Sequence, residues 1–232
     1  PSQRAYADRA FPDGIVRHLK AIGLLSDRLS LAHCIHARPD EIEMIAEAGA
    51  TIVTNTSSNL HLRSGIGPIA AAVAAGCPIA VGMDGLAFDE DDDMMREMRL
   101  THAVHAGLGF NETFTRPSYL AATIAAGRRS IGAPGTGALA VGADADFVVV
   151  DLERLDRDAI LPVSPMDLLF ARANAAHVSE VVVAGRTIVS NGVVTGIDLP
   201  AVEAELRERY RANIGRFDGL DAAWPQIENA LQ

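Results

Sequence analysis

The amino-acid sequence predicts an α/β fold in which short parallel strands alternate with helices, followed by a smaller β element. Apolar runs of strand length at 29–34, 51–54 and 77–83 are separated by segments with helical spacing of their apolar residues. Each run ends on polar side chains: His33, then Thr54-Asn55, then Asp84. From Gly135 onward, glycine turns and β-branched runs replace this rhythm. Successive βα units with short returns imply parallel strands joined by right-handed crossovers. The carboxyl ends of consecutive strands then share one rim, so three polar strand ends in succession read as one site.

The elements follow in order. Ile15, Val16, Leu19 and Ile22 have helical spacing over 15–22, and Gly23 stops the helix. After the strand at 29–34, Pro39 opens a helix whose early turns carry Asp40, Glu41 and Glu43, where the helix dipole favours acids. Ile42, Ile45 and Ala46 form its buried stripe, and Gly49 ends it. The strand at 51–54 leads into a polar loop, Asn55-Thr56-Ser57-Ser58-Asn59, then a helix at 68–75 stopped by Gly76. The third strand, 77–83, runs into Ala80-Val81-Gly82-Met83-Asp84-Gly85-Leu86, where an acid meets glycine at a strand end. The acidic run Asp89-Glu90-Asp91-Asp92-Asp93 reads as the cap of an amphipathic helix at 94–107 rather than a metal site. His102 and His105 on that helix lack the i, i+4 spacing of a helical zinc motif and read as structural. A helix at 117–131 carries Arg128-Arg129 in its last turn.

In the second part, 146–151 reads as a strand and 164–173 as a helix. Residues 181–189 form two short strands about a glycine turn, with Asn191-Gly192 as a second turn. A charged helix follows at 200–214, and the tail with Trp224 carries no signal.

Composition bounds the function. The chain is 49% hydrophobic over 232 residues, enough for a packed core. A net charge of −10 with no basic stripe argues against a nucleic-acid partner, and no apolar run reaches the length of a membrane span. Cys34 and Cys77 lie in apolar runs and read as buried thiols of a reducing compartment, with a cytoplasmic address as the default. The first residue is Pro1, so the true start is expected to lie upstream.

Three segments together carry a resemblance. Leu31-Ala32-His33-Cys34-Ile35-His36, Asn55-Thr56-Ser57-Ser58-Asn59-Leu60 and Gly82-Met83-Asp84-Gly85 resemble the last strand ends of the amidohydrolase superfamily. The branch is the one that holds cytosine, guanine and adenosine-type deaminases and the triazine chlorohydrolases. The likeness continues through Met95-Arg96-Glu97-Met98-Arg99-Leu100, and through 137–151 and 181–192, which resemble the small β-sandwich accompanying this barrel. It covers 14–195.

The resemblance implies the C-terminal part, strands 6–8 and their helices, of a distorted (β/α)8 metal-dependent hydrolase barrel over 1–134. Part of the β-sandwich would occupy 135–195, with an intervening barrel-packing helix near 164–173, and a C-terminal helix and tail 196–232. It also implies one divalent metal, zinc before iron, which lowers the pKa of a bound water. Asp84 is the implied metal ligand and proton carrier, and His33 the implied hydrogen-bond donor to the hydroxide or substrate oxygen. Asn59, Arg63 and His61 would border the pocket of a small heterocyclic substrate, although Asn59 could equally hold its own loop. His36 reads as a loop residue. Thr54-Asn55 stands where deaminases of this branch often carry His-Asn, which speaks against an adenosine-type substrate.

The family's His-x-His pair, its further strand histidine and its glutamate find no counterpart, and His18 is no substitute. A missing N-terminal barrel segment is therefore expected, covering an open sheet edge, and a homo-oligomer is a family expectation. The implied activity is an aminohydrolase releasing ammonia from an N-heterocycle. The alternatives are a chlorohydrolase or cyclic-amide hydrolase with the same site, or a metal-free fragment used for binding or assembly.

Overall fold

A computed structural model describes residues 2–85, 91–108, 111–133, 135–158 and 160–231 of the chain. It opens with α1 (Ser2–Ala10) and α2 (Ile15–Ala21), then β1 (Ser30–Ala32), α3 (Pro39–Ala48), β2 (Thr51–Thr54), α4 (Thr56–His61), α5 (Ile69–Ala74) and β3 (Ile79–Val81). The three strands form one parallel sheet in the order β1-β2-β3, with Leu31 beside Ile52 and Ile52 beside Ile79. The alternating apolar pattern is thus met by parallel βα units. The strands are shorter than the apolar runs: Cys77 and Pro78 precede β3, and proline offers no N–H to the ladder.

The core forms between this sheet and the helices. Ile42 and Ile45 of α3 pack with Ile52, Ile69 and Ile79, joined by Met98 of α6 (Met94–His105) and Tyr119 of α7 (Arg116–Ser130). Tyr119 is 1% exposed, its hydroxyl donating to Met98 O at 3.1 Å while its ring meets His102, Phe114 and Phe170 edge-on. α3 ends at Gly49 in the left-handed conformation, as the sequence pattern requires. Asp93 caps α6 by accepting from Met95 N and Arg96 N, which matches the capping reading of the acidic run; Leu86, Asp89 and Glu90 lie outside the described residues.

α6 stops at His105 rather than 107, because Gly107, with φ 118°, begins a two-stranded ribbon of β4 (Gly107–Leu108) and β5 (Asn111–Glu112). Beyond α7 come β6 (Phe147–Val150), α8 (Leu152–Leu155), α9 (Pro165–Arg172), β7 (Val178–Val183), β8 (Arg186–Ser190) and β9 (Val193–Val194). Strands β6 to β9 form one antiparallel sheet. Its two tight turns, Ala184-Gly185 and Asn191-Gly192, have positive φ at both residues, the geometry whose twist matches a two-residue hairpin. α10 (Leu199–Asn213) buries no residue, and α11 (Asp218–Leu231) occupies the tail that carried no sequence signal.

One expectation fails. The polar stretch 55–59 is not a loop: Thr56 opens helix α4. The opening residues, which the sequence left unassigned, form helix α1, which Arg4 ties to α3 through an ion pair to the buried Glu41 at 2.6 Å.

Burial pushes the pKa of both His102 and His105 below the ordinary 6.5. The unfolded chain therefore binds more protons than the folded one as pH drops below 6.5, so this contribution is complete above that value and is lost as pH falls through it. Urea midpoints measured from about pH 7 to about pH 5 are expected to fall, with a shallower slope in His105→Gln.

Candidate active site

The site is built where β1, β2 and β3 end. His33 N–H donates to Val53 O at 2.8 Å, continuing the ladder beside β2, and Cys34 N–H then donates back to Ala32 O at 2.8 Å. With φ 65° at His33, this is a γ-turn of the rarer positive-φ form. Asp84, three residues past the end of β3, has φ 69°. Left-handed backbone at residues with a Cβ costs about 1–3 kcal/mol each and persists only where surrounding contacts impose it.

Those contacts are visible. His33 Nδ1 lies 2.8 Å from Asn59 Oδ1 and 3.3 Å from Asn55 Nδ2. Ser58 Oγ donates to Asp84 Oδ2 at 2.8 Å. The imidazole and carboxylate face each other, with His33 Nε2 3.6 Å from Asp84 Oδ2. Their side chains are 37% and 31% exposed, whereas Asn55, Ser58 and Asn59 are buried. Asn55 can sit against the end of β3 because residue 82 is glycine; a Cβ there would collide with Asn55 Oδ1.

A cavity of about 630 Å³ opens at this rim, and His33, Asn59, Arg63 and Asp84 all line it. Arg63 is exposed and held with φ 53° just past α4. His61, the last residue of α4, is exposed and is not among the lining residues. His36 lines the cavity too, and its carbonyl accepts from Arg4 Nη1 at 3.1 Å. A second cavity of about 690 Å³ lies near Asp27, Cys77 and Pro78, at the opposite ends of the strands. Cys34 lines the first cavity, but burial pushes its thiol up to about 11, so it is not a ready nucleophile.

Sequence reading missed two contributors: Ser58 appeared only within a motif, and Glu97 only as part of a helix. Asn55 was read as a polar strand end, and the structure adds its approach to His33. Glu97 is 2% exposed and its Oε1 accepts the Ser57 N–H at 3.2 Å, occupying a donor at the start of α4. Thr101 Oγ1 donates to Thr56 Oγ1 at 2.8 Å beside it. The signal in the sequence was a glutamate on the apolar side of α6, four residues before Thr101.

The donor set can be tested against a metal. Among the described residues no group of three His, Cys, Asp or Glu side chains converges. A zinc centre takes four ligands, so His33 and Asp84 do not complete one by themselves. Asp84 alone fits as a member of a larger set: it is an acid at a strand end, oriented by Ser58 and open to the cavity.

A parallel α/β rim with a facing imidazole and carboxylate beside a cavity defines a class of strand-end site. A profile of the amidohydrolase family matches residues 2–188, and the chain belongs to that family. It is 29% identical over 212 residues to a 5-methylthioadenosine/S-adenosylhomocysteine deaminase of Nitratidesulfovibrio vulgaris, covering 90% of this chain and 48% of the relative. It is 35% identical over 203 residues to a deaminase of the same name from Haloquadratum walsbyi, covering 86% of this chain and 45% of the relative. The chain thus spans just under half the length of these curated relatives. Among solved structures, an adenosine deaminase of Xanthomonas campestris with bound zinc superposes with a TM-score of 0.81 at 29% identity, covering 91% of this chain and 48% of the other. A zinc complex of an atrazine chlorohydrolase from Arthrobacter aurescens gives 0.76 at 26% identity, covering 86% and 44%.

Glu97→Ala is expected to lower stability by about 1–3 kcal/mol, since it leaves the half-buried Ser57 N–H without its acceptor. Glu97→Gln retains an acceptor and should lose less; urea unfolding of both variants checks this.

Proposed function

We propose that this chain carries the C-terminal strand ends of an aminohydrolase acting on an N-heterocycle. The observation that carries the reading is the 3.6 Å approach of His33 Nε2 to Asp84 Oδ2 at the cavity rim. The domain arrangement follows the same reading. Residues 1–134 would belong to the metal-dependent hydrolase barrel, 135–195 to a composite β-sandwich, and 196–232 to a terminal helix and tail.

A divalent metal, zinc by analogy with the zinc-bound relatives, would be held by Asp84 together with ligands outside the described residues, and would supply the Lewis acidity that makes water reactive near neutral pH. The chain's own groups do the rest. Asp84 takes a proton from the attacking water and delivers it to the leaving amino nitrogen, so that a C–O bond forms, the C–N bond breaks and ammonia departs. His33 Nε2, on the same side of the cavity, would orient the attacking water as a hydrogen-bond acceptor, in place of the donor role that the resemblance implies. Arg63, on the cavity wall, offers a fork of donors to polar groups of the substrate. The relatives are named for adenosine derivatives. That favours an adenine nucleoside over the contrary expectation drawn from Thr54, which is buried and contacts Thr56 Oγ1 at 3.4 Å.

The likeness to an atrazine chlorohydrolase keeps a second reading in play, displacement of chloride from a triazine by the same groups. Turnover of adenosine, its 5′-thio derivatives and chlorotriazines, followed by ammonia and chloride release, separates the two readings.

Asp84→Asn, in the polypeptide that carries this chain, is expected to abolish turnover, and near-normal activity would remove Asp84 from the reaction. His33→Asn is expected to lower turnover while bound metal is retained; loss of metal would make His33 a ligand instead.

A further inference from the structure

Ser58 and Asn59 are neighbours in α4, and both are buried, at 0% and 4% exposed. Consecutive helical side chains diverge by about 100°, so two adjacent residues can serve two separate targets. α4 follows β2, the central strand, and its targets sit at the ends of the two flanking strands. Ser58 reaches Asp84 beyond β3, and Asn59 reaches His33 beyond β1, each at 2.8 Å.

We propose that Ser58 and Asn59 are a positioning pair: Ser58 fixes the Asp84 carboxylate, and Asn59 fixes the ring and tautomer of His33. The proposal rests on the roles given above to Asp84 and His33. It gives Asn59, expected from the sequence to contact substrate, a different task on the cavity wall: its Oδ1 is committed to His33.

The hydrogen-bond inventory sets the details. For Asn59 Oδ1 to accept at 2.8 Å, His33 Nδ1 must carry the proton. A protonated Nδ1 cannot also accept from Asn55 Nδ2, so the longer 3.3 Å contact brackets the ring without sharing that bond. In the neutral ring Nε2 then holds a lone pair directed toward Asp84 and the cavity. The opposite tautomer would set the Nδ1 lone pair against the Asn59 carbonyl. On the other side, the Ser58 hydroxyl engages Oδ2 of Asp84 and fixes which carboxylate oxygen it holds. The helix is itself anchored from beneath, by Glu97 on the Ser57 N–H and Thr101 on Thr56. A strained backbone at His33 and Asp84 and a rigid two-residue clamp between them are consistent parts of one device.

The test uses the full polypeptide bearing this chain, with Ser58→Ala, Asn59→Ala and Asn59→Asp. Steady-state kinetics are read alongside the ¹⁵N shifts of the His33 ring. Each alanine variant is expected to lower kcat roughly 10- to 100-fold with KM within about twofold, the signature of lost transition-state positioning. The ring should show the Nδ1–H tautomer in the parent, a mixture in Asn59→Ala, and Nδ1–H again in Asn59→Asp, which keeps an acceptor at nearly the same size. A raised KM with unchanged kcat in Asn59→Ala would make Asn59 a substrate contact and overturn the proposal. An Nε2–H ring in the parent, or no tautomer change in Asn59→Ala, would overturn it too. Should the parent turn over none of the substrates, the aminohydrolase reading fails, while the ¹⁵N measurement still decides the role of Asn59.

Discussion

The parallel register of three short strands is the constraint on which the site depends. Leu31, Ile52 and Ile79 lie side by side, so His33, Asn55 and Asp84 emerge at one rim although they are spread along the sequence. The register is held by side chains that have nothing to do with chemistry. Ile42, Ile45, Ile69 and Tyr119 fill the space around the sheet, and a slip of one residue would turn each strand's core side chains away from that packing.

The rim itself is a place of opposed tendencies. His33 and Asp84 adopt backbone angles that their side chains disfavour, and polar groups crowd into burial at Asn55, Ser58 and Asn59. What offsets this is a closed set of hydrogen bonds: Asn59 to His33, Ser58 to Asp84, Glu97 to the start of α4. The Glu97 carboxylate is thus linked to two flanking strand ends through one short helix.

Much of this was legible in the sequence. Proline, early acids and glycine marked the ends of α3, and Asn191-Gly192 marked a hairpin turn, because those residues have local backbone preferences that tertiary contacts seldom reverse. His33 and Asp84 stood out as polar ends of apolar runs, and the structure brings both to one cavity. Helix α4 was not legible. Threonine, serine and asparagine compete for backbone hydrogen bonds and favour turns, and the contacts that support their helix come from Glu97 and Thr101, Glu97 lying 40 positions further along the chain from Ser57. The role of Ser58 was hidden for the same reason: its partner, Asp84, is near only once β2 and β3 are paired. His61 looked like its neighbours in sequence, yet it closes α4 away from the cavity lining.

If Asp84 is the strand-end carboxylate around which an amidohydrolase site is assembled, metal binding depends on it. Zinc and iron content per polypeptide, measured by elemental analysis on the parent and on Asp84→Asn, decides this. About one metal per parent polypeptide and a clear loss in the variant are expected. Equal metal in both proteins, or none in the parent after reconstitution, would contradict that dependence.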